Sequence, residues 1–185
     1  MEKFYPAIKV LKNNGVAVIP TDTIYGLVAS ALKPEAVERV YRLKNRAGDK
    51  PCIILINALA DLKKFGLAPT KTDLTLINKL WPGPVSIIFP LPKAVAQALT
   101  YLHRGTETLA FRLPKPLTLR NLLKKTGPLI APSANPEDAR PARTIIMARR
   151  YFGDGVDCYI AGGKKLGKPS RLVALHSGKI ITIRV

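Results

Sequence analysis

An α/β fold with helices packed on a sheet of mixed strand direction is the class this sequence predicts, and three observations predict it. Short apolar runs rich in Val and Ile alternate with segments of helical period, a pattern that suits neither a helical bundle nor a β-sandwich. The last two runs flank His176-Ser177-Gly178-Lys179, a compact Gly-containing turn that reads as a terminal hairpin and so mixes the strand directions. The 185 residues, 47% of them hydrophobic, suit one core, and residues 1–185 are read as a single domain.

In chain order, Ile8 to Lys12 reads as a short helix and Val16 to Pro20 as the first strand, followed by a strand from Leu27 to Ala31. The clearest helix runs from Pro34 to Leu43: Pro suits a first turn, and Val37, Val40, Tyr41 and Leu43 recur on one face. A strand at Cys52 to Ile56 precedes helices at Asp61 to Phe65 and Asp73 to Leu80, then a strand at Val85 to Pro90. A helix at Ala94 to Leu99, a strand at Thr108 to Leu113, a helix at Leu117 to Lys125 and a strand at Leu129 to Pro132 continue the alternation. The helix Thr144 to Phe152 leads to strands Cys158 to Ala161, Leu172 to Leu175 and Ile180 to Val185. Between them, the polar, Pro-containing loop from Asn135 to Arg143 reads as a mobile lid, with Arg140 and Arg143 swinging toward a ligand and Glu137 and Asp138 facing solvent.

Composition removes several functions. The N-terminal Met-Glu-Lys-Phe-Tyr-Pro carries no signal pattern and no apolar run reaches the ~18 residues of a membrane helix, so a cytoplasmic protein without membrane contact is expected. Cys52 and Cys158 are read as buried thiols, and with His103 and His176 as the only imidazoles no metal site made of protein side chains is expected. The 30 Lys and Arg against 12 Asp and Glu leave a formal charge of +18. Glu107 is the sole acid between Leu74 and Pro136, and none follows Asp157. Such basic stretches fit a polyanionic substrate or partner, or a generically basic surface.

Chemistry-bearing residues recur at spacing two beside strand or helix ends: Thr21 with Thr23, Lys44 with Arg46, Ser133 with Asn135, and Arg112 just before Pro114. In extended backbone such pairs present two side chains to one side. Singly each has an ordinary explanation, as a turn cap, a solvated helix-end cation or a local turn. Together, near the strand ends where open sheets place ligands, they point to one anion-binding cleft.

Pro20-Thr21-Asp22-Thr23-Ile24-Tyr25-Gly26-Leu27, Lys44-x-Arg46 with Asp49-Lys50-Pro51, Trp81-Pro82-Gly83-Pro84, Ala110-Phe111-Arg112 and Pro132-Ser133-Ala134-Asn135 occur in the order of the signatures of the YrdC family of threonylcarbamoyl-AMP synthases, which the chain resembles over nearly its whole length. The resemblance implies an open, twisted mixed sheet with flanking helices around a large, positively charged concavity. It implies an enzyme joining L-threonine, bicarbonate and ATP into threonylcarbamoyl adenylate and pyrophosphate, with magnesium accompanying ATP. A tRNA-modifying threonylcarbamoyl transferase complex would take the product. By the same resemblance Lys44, Arg46, Ser133 and Asn135 carry catalysis and contact ATP, Lys50 and Thr108 add ATP contacts, and Thr23, Arg112 and Ser170 form the threonine site.

Ala47, Leu55, Pro136-Glu137-Asp138 and Arg171 depart from the family pattern of Pro, the His of longer members, Leu-Ser-Gly and Thr, which bears on the lid contacts. Two rivals stand beside the synthase. One is a non-catalytic module binding double-stranded RNA or tRNA, with salt-sensitive affinity and no pyrophosphate release. The other is a family paralogue with a different substrate.

Overall fold

The computed structural model describes residues 3–185, so Met1 and Glu2, within the stretch read as lacking a signal, lie outside the described residues. The chain opens with α1 (Tyr5–Lys12), β1 (Ala17–Pro20), β2 (Tyr25–Ser30), α2 (Pro34–Lys44), β3 (Ile54–Leu55), a 3-10 helix Leu59–Phe65, α3 (Lys71–Leu80) and β4 (Val85–Pro90). It continues with α4 (Lys93–Ala96), a 3-10 turn Gln97–Leu99, α5 (Thr100–His103), β5 (Thr108–Arg112), α6 (Leu117–Thr126) and β6 (Leu129–Ile130). It closes with α7 (Ile145–Phe152), a 3-10 turn Gly153–Gly155, β7 (Cys158–Tyr159), β8 (Arg171–His176) and β9 (Lys179–Arg184).

The expected elements are present with shifted ends. The regular strands within Cys52 to Ile56 and Leu129 to Pro132 shorten to Ile54–Leu55 and Leu129–Ile130, while flanking residues keep single ladder bonds, from the Ile56 N–H to the Arg112 carbonyl at 3.0 Å and from the Ala131 N–H to the Ile53 carbonyl at 2.8 Å. The second strand begins earlier than expected, since Tyr25 and Gly26 pair with Pro20 and Ile19. The segment Asp61 to Phe65 is 3-10 rather than α, and a further short helix, α5, follows the expected Ala94 to Leu99. The terminal hairpin turns on Ser177 (φ 47) and Gly178 (φ 73), the double left-handed geometry that matches strand twist.

Among the described residues nine strands run in the order β7-β1-β2-β6-β3-β5-β4-β8-β9. Pairs β1/β7, β3/β5 and β4/β8 are parallel and the rest antiparallel, which is the expected mixed sheet. Period-two alternation divides its side chains between two cores. Leu27, Ala29, Ile54, Ile87, Leu109, Phe111 and Ile130 face α2, α3 and α7, while Ala17, Ile19, Val28, Leu55 and Leu129 face α1 and α6. Trp81 belongs to the first core, buried beside Phe89, with its indole N–H donating to the Val85 carbonyl at 2.7 Å.

The second face is covered over only part of the sheet. Along β5, Leu109 and Phe111 enter the first core, whereas Thr108, Ala110 and Arg112 point oppositely and meet no helix. Ile88 of β4 and Leu172 of β8 continue that surface, which becomes the floor of a cavity.

At the far edge, Asp157 fastens β7 to its neighbours. Its carboxylate accepts from both Arg39 guanidinium nitrogens of α2 at 2.6 and 2.8 Å, and from the Val16 N–H at 2.8 Å. Arg39, and to a lesser degree the Val16 N–H, hold its pKa below the ordinary 3.8 against the cost of partial burial. A lowered carboxylate pKa stabilises the fold above the unfolded value and is lost as pH falls through the folded one. Asp157→Asn is therefore expected to cost about 1 kcal/mol at neutral pH after allowing for solvent screening, or about 3 °C in Tm. The gap between variant and wild-type melting curves should close as the pH drops below about 3.8.

Candidate active site

The cavity holds about 380 Å³ and its wall includes Thr23, Arg46, Thr108, Arg112, Ser133 and Ser170. Those candidates are thus brought together, whereas Lys44, Lys50 and Asn135 are not part of the wall. Among the described residues no acid lines it, and its cations are Arg46, Arg112 and Arg184. A concavity of this size carrying guanidinium and hydroxyl groups is built to hold a polyanion with several oxygen acceptors.

Thr21 and Thr23 sit in the loop of the β1–β2 hairpin rather than in extended backbone, and their shared direction comes from the turn. Thr21 Oγ1 donates to the Ile24 carbonyl at 2.7 Å and accepts the Thr23 N–H at 3.2 Å, with the two hydroxyls 3.1 Å apart. The segment carrying Ser170 passes over this loop so closely that a Cβ on Gly167 would lie 2.6 Å from the Thr23 carbonyl oxygen. Ser170 itself is buried, its hydroxyl 2.9 Å from that of Ser86.

Lys44 and Arg46 part company, which corrects the expectation that their spacing aims both at one ligand. Asn45 ends α2 in the left-handed conformation (φ 49, ψ 41), a state Asn tolerates better than most residues. The chain turns there, sending Arg46 to the cavity and Lys44 into the protein. Lys44 is 1% exposed, not the exposed cleft cation expected of a helix end. Its ammonium donates to the Ser133 carbonyl at 2.6 Å and to the Asn135 carbonyl. Arg46 also braces its own loop, donating to the carbonyls of Lys50 at 2.9 Å and Pro51 at 3.2 Å.

Ser133 reaches the wall because an isolated antiparallel bridge joins it to Gly26 beyond the end of β6. Asn135 turns away, donating from Nδ2 to the carbonyls of Pro136 and Ala139 at 2.7 and 2.8 Å. The loop that follows is tied down more firmly than its composition suggests. Ala142 is buried with its N–H on the Ala134 carbonyl, and the Arg140 and Arg143 carbonyls accept from the Tyr151 hydroxyl and the Lys165 N–H. Arg140 and Arg143 line a neighbouring hollow of about 360 Å³ together with Lys165.

Glu137 likewise departs from expectation, whereas Asp138 is exposed as expected. The Glu137 carboxylate meets the Lys50 ammonium at 2.5 Å and the Ala47 N–H at 2.5 Å, and its own N–H donates to the Lys44 carbonyl at 2.6 Å. Lys50 holds its pKa down, with the Ala47 N–H assisting. The physical reason is that a carboxylate beside an ammonium and a free backbone donor gains more by pairing than by facing water.

Arg112 closes the floor at the end of β5, with Asp22 Oδ1 3.1 Å from its Nη2 and the two side chains 5% and 6% exposed. Burial lowers the Arg112 pKa while Asp22 opposes that shift; burial raises the Asp22 pKa against the pull of Arg112 and Lys165. Cys52, buried as expected, lines the cavity, and burial raises its pKa. Sequence reasoning missed the wall residues Arg184 and Thr106. Arg184 arrives through the β8–β9 register, which sets it beside Leu172, and donates to the Ser170 carbonyl at 3.1 Å.

A model of the Sua5/YciO/YrdC family, described as telomere recombination, matches residues 9–185. A threonylcarbamoyl-AMP synthase of Hahella chejuensis is 32% identical over 177 residues, covering 95% of both chains. One of Bacillus subtilis is 40% identical over 133 residues, covering 70% of this chain and 37% of that longer one. Among solved structures, Pyrococcus abyssi Sua5 complexed with L-threonine superposes with a TM-score of 0.86 at 27% identity, over 100% of this chain and 54% of that one.

The Lys44 contacts carry a prediction for stability. Burial, then the neighbouring Arg46, lowers its pKa from 10.5 to about 8. The unfolded chain therefore binds the proton more tightly, and stability should rise with pH between about 8 and 10.5. Lys44→Ala is expected to cost about 3 kcal/mol at neutral pH, since it opens a void and strands the Ser133 and Asn135 carbonyls. Denaturant titrations at both ends of that pH window check the cost and its sign; a variant as stable as wild type would contradict it.

Proposed function

The chain belongs to the Sua5/YciO/YrdC family, and we propose that it performs the chemistry for which its relatives are named, the synthesis of threonylcarbamoyl-AMP. The observation that carries this reading is the cationic cavity that gathers Thr23, Arg46, Thr108, Arg112, Ser133 and Ser170 from separate parts of the chain. L-threonine, bicarbonate and ATP are the substrates. Bicarbonate takes up a proton and loses water to give carbon dioxide, the threonine amine adds to it and releases a proton as the carbamate forms, and a carbamate oxygen attacks the α-phosphorus and displaces pyrophosphate. Such a displacement needs positioning and positive charge more than a nucleophilic side chain.

Arg112 takes the threonine carboxylate, and Thr23 with Ser170 orients the amino acid beside it. Arg46 faces phosphate charge, while Ser133 and Thr108 bond the nucleotide. Lys44 and Asn135 serve by holding the Ser133 loop rather than by touching substrate. The wall offers hydroxyls and, among the described residues, no carboxylate, which suits a magnesium ion carried in on phosphate oxygens rather than held by the protein. The adenylate then passes to a tRNA-modifying transferase complex.

Incubation with ATP, magnesium, bicarbonate and L-threonine should release pyrophosphate in a threonine-dependent manner and yield the adenylate by mass spectrometry. Pyrophosphate release indifferent to threonine would remove the synthase reading, and a panel of amino acids separates it from a paralogue with another substrate. The Glu137 clasp predicts a further kinetic effect. Glu137→Gln keeps an acceptor for the Ala47 N–H but frees Lys50 for phosphate, so KM for ATP should fall while KM for threonine holds. An unchanged KM for ATP would place Lys50 outside the nucleotide's path.

A further inference from the structure

We propose that Asp22 is the positioning residue of the carboxylate receptor in this site: from behind the cavity wall it holds the Arg112 guanidinium in place and aimed at the substrate, touching no substrate itself. The inference rests on the synthase reading and concerns how its threonine site is made selective.

A guanidinium as withdrawn from water as that of Arg112 needs a nearby carboxylate to remain there. Asp22 supplies it, 3.1 Å away and equally buried, and Asp22 is the ion-pair partner found for Arg112 among the described residues. Neither Asp22 carboxylate oxygen has a hydrogen-bond partner, and neither does Arg112 Nε. The same chain builds a saturated pair elsewhere: Arg39 engages both oxygens of Asp157 with two nitrogens. The offset contact at Arg112 thus supplies charge without using up the donor fork. A fork left open on the cavity side can take a second carboxylate through two parallel bonds.

Direction supports the same division of labour. Thr21 and Thr23 line the cavity and bond to each other, whereas Asp22 between them is not part of the wall. Around the pair stand Lys165, whose ammonium bonds the Thr21 carbonyl at 2.9 Å, and Arg184 of β9. Among the described residues Asp22 is therefore the acid found beside Arg112 and Lys165, and it offsets the repulsion between Arg112 and the neighbouring Arg184.

The test is calorimetric binding of L-threonine and, separately, of ATP. Asp22→Asn should weaken threonine binding by about tenfold and leave ATP binding within about twofold. In an Asp22→Asn/Arg112→Met double variant, threonine affinity should equal that of Arg112→Met alone, because the first residue acts only through the second. A measurement on the wild type needs no variant to fold. Threonine affinity should decline as the pH is lowered from neutral toward 3.8, because burial raises the Asp22 pKa above that value and protonation removes the charge set against Arg112. Additive losses in the double variant, or a wild-type affinity flat over that range, would overturn the proposal. So would an Asp22→Asn protein that binds threonine as wild type does, leaving the synthase reading intact. A wild type that binds ATP but no threonine would remove both.

Discussion

A strand buried on both faces needs cover on both, and this sheet has helices packed on both faces without covering either completely. Where α1 and α6 end, β5, β4 and β8 still present alternate residues on the uncovered side. On β5 the sequence places Thr108, Ala110 and Arg112 there, opposite the core positions Leu109 and Phe111 and beside the apolar Ile88 and Leu172. The cavity is the missing cover, and its polarity follows from the same period of two that fills the cores.

The roof over that surface depends on a buried ammonium. Lys44 spans from the end of α2 to two carbonyls of the Ser133 to Asn135 turn, so the helix and the loop move as one piece. Glu137 adds a second tie, from the same loop back to Ala47 and Lys50. Binding groups carried on loops gain precision when their supports are charged, short and dry, since each broken contact then leaves a costly orphan. The loop's lack of apolar side chains therefore says little about its freedom.

Much of the fold was legible because it depends on periodicity. Leu109 and Phe111 against Thr108 and Arg112 can be told apart by alternation alone, and Pro34 with the Val37, Val40 and Tyr41 stripe defines α2. The site was legible as a set of segments rather than as a geometry. Thr23, Arg46, Arg112 and Ser133 were found, but one left-handed residue, Asn45, separates the destinations of Lys44 and Arg46, and backbone handedness is weakly written in residue type. Arg184 was invisible for another reason. Its place in the wall depends on the pairing of β8 with both β4 and β9, a long-range register that local pattern does not encode.

The chain's single tryptophan gives this arrangement an optical consequence. Trp81 is sealed in the core on the far side of the sheet from the open floor, with Phe89 beside it and its N–H satisfied by the Val85 carbonyl. An indole in that setting emits at short wavelength and shifts to the red when the core opens to water. Because the indole lies outside the cavity wall, its emission, excited where Tyr25 of that wall does not absorb, reports whether the sheet is intact rather than whether the pocket is filled. Folding and occupancy can thus be read on separate channels of one sample, without a label.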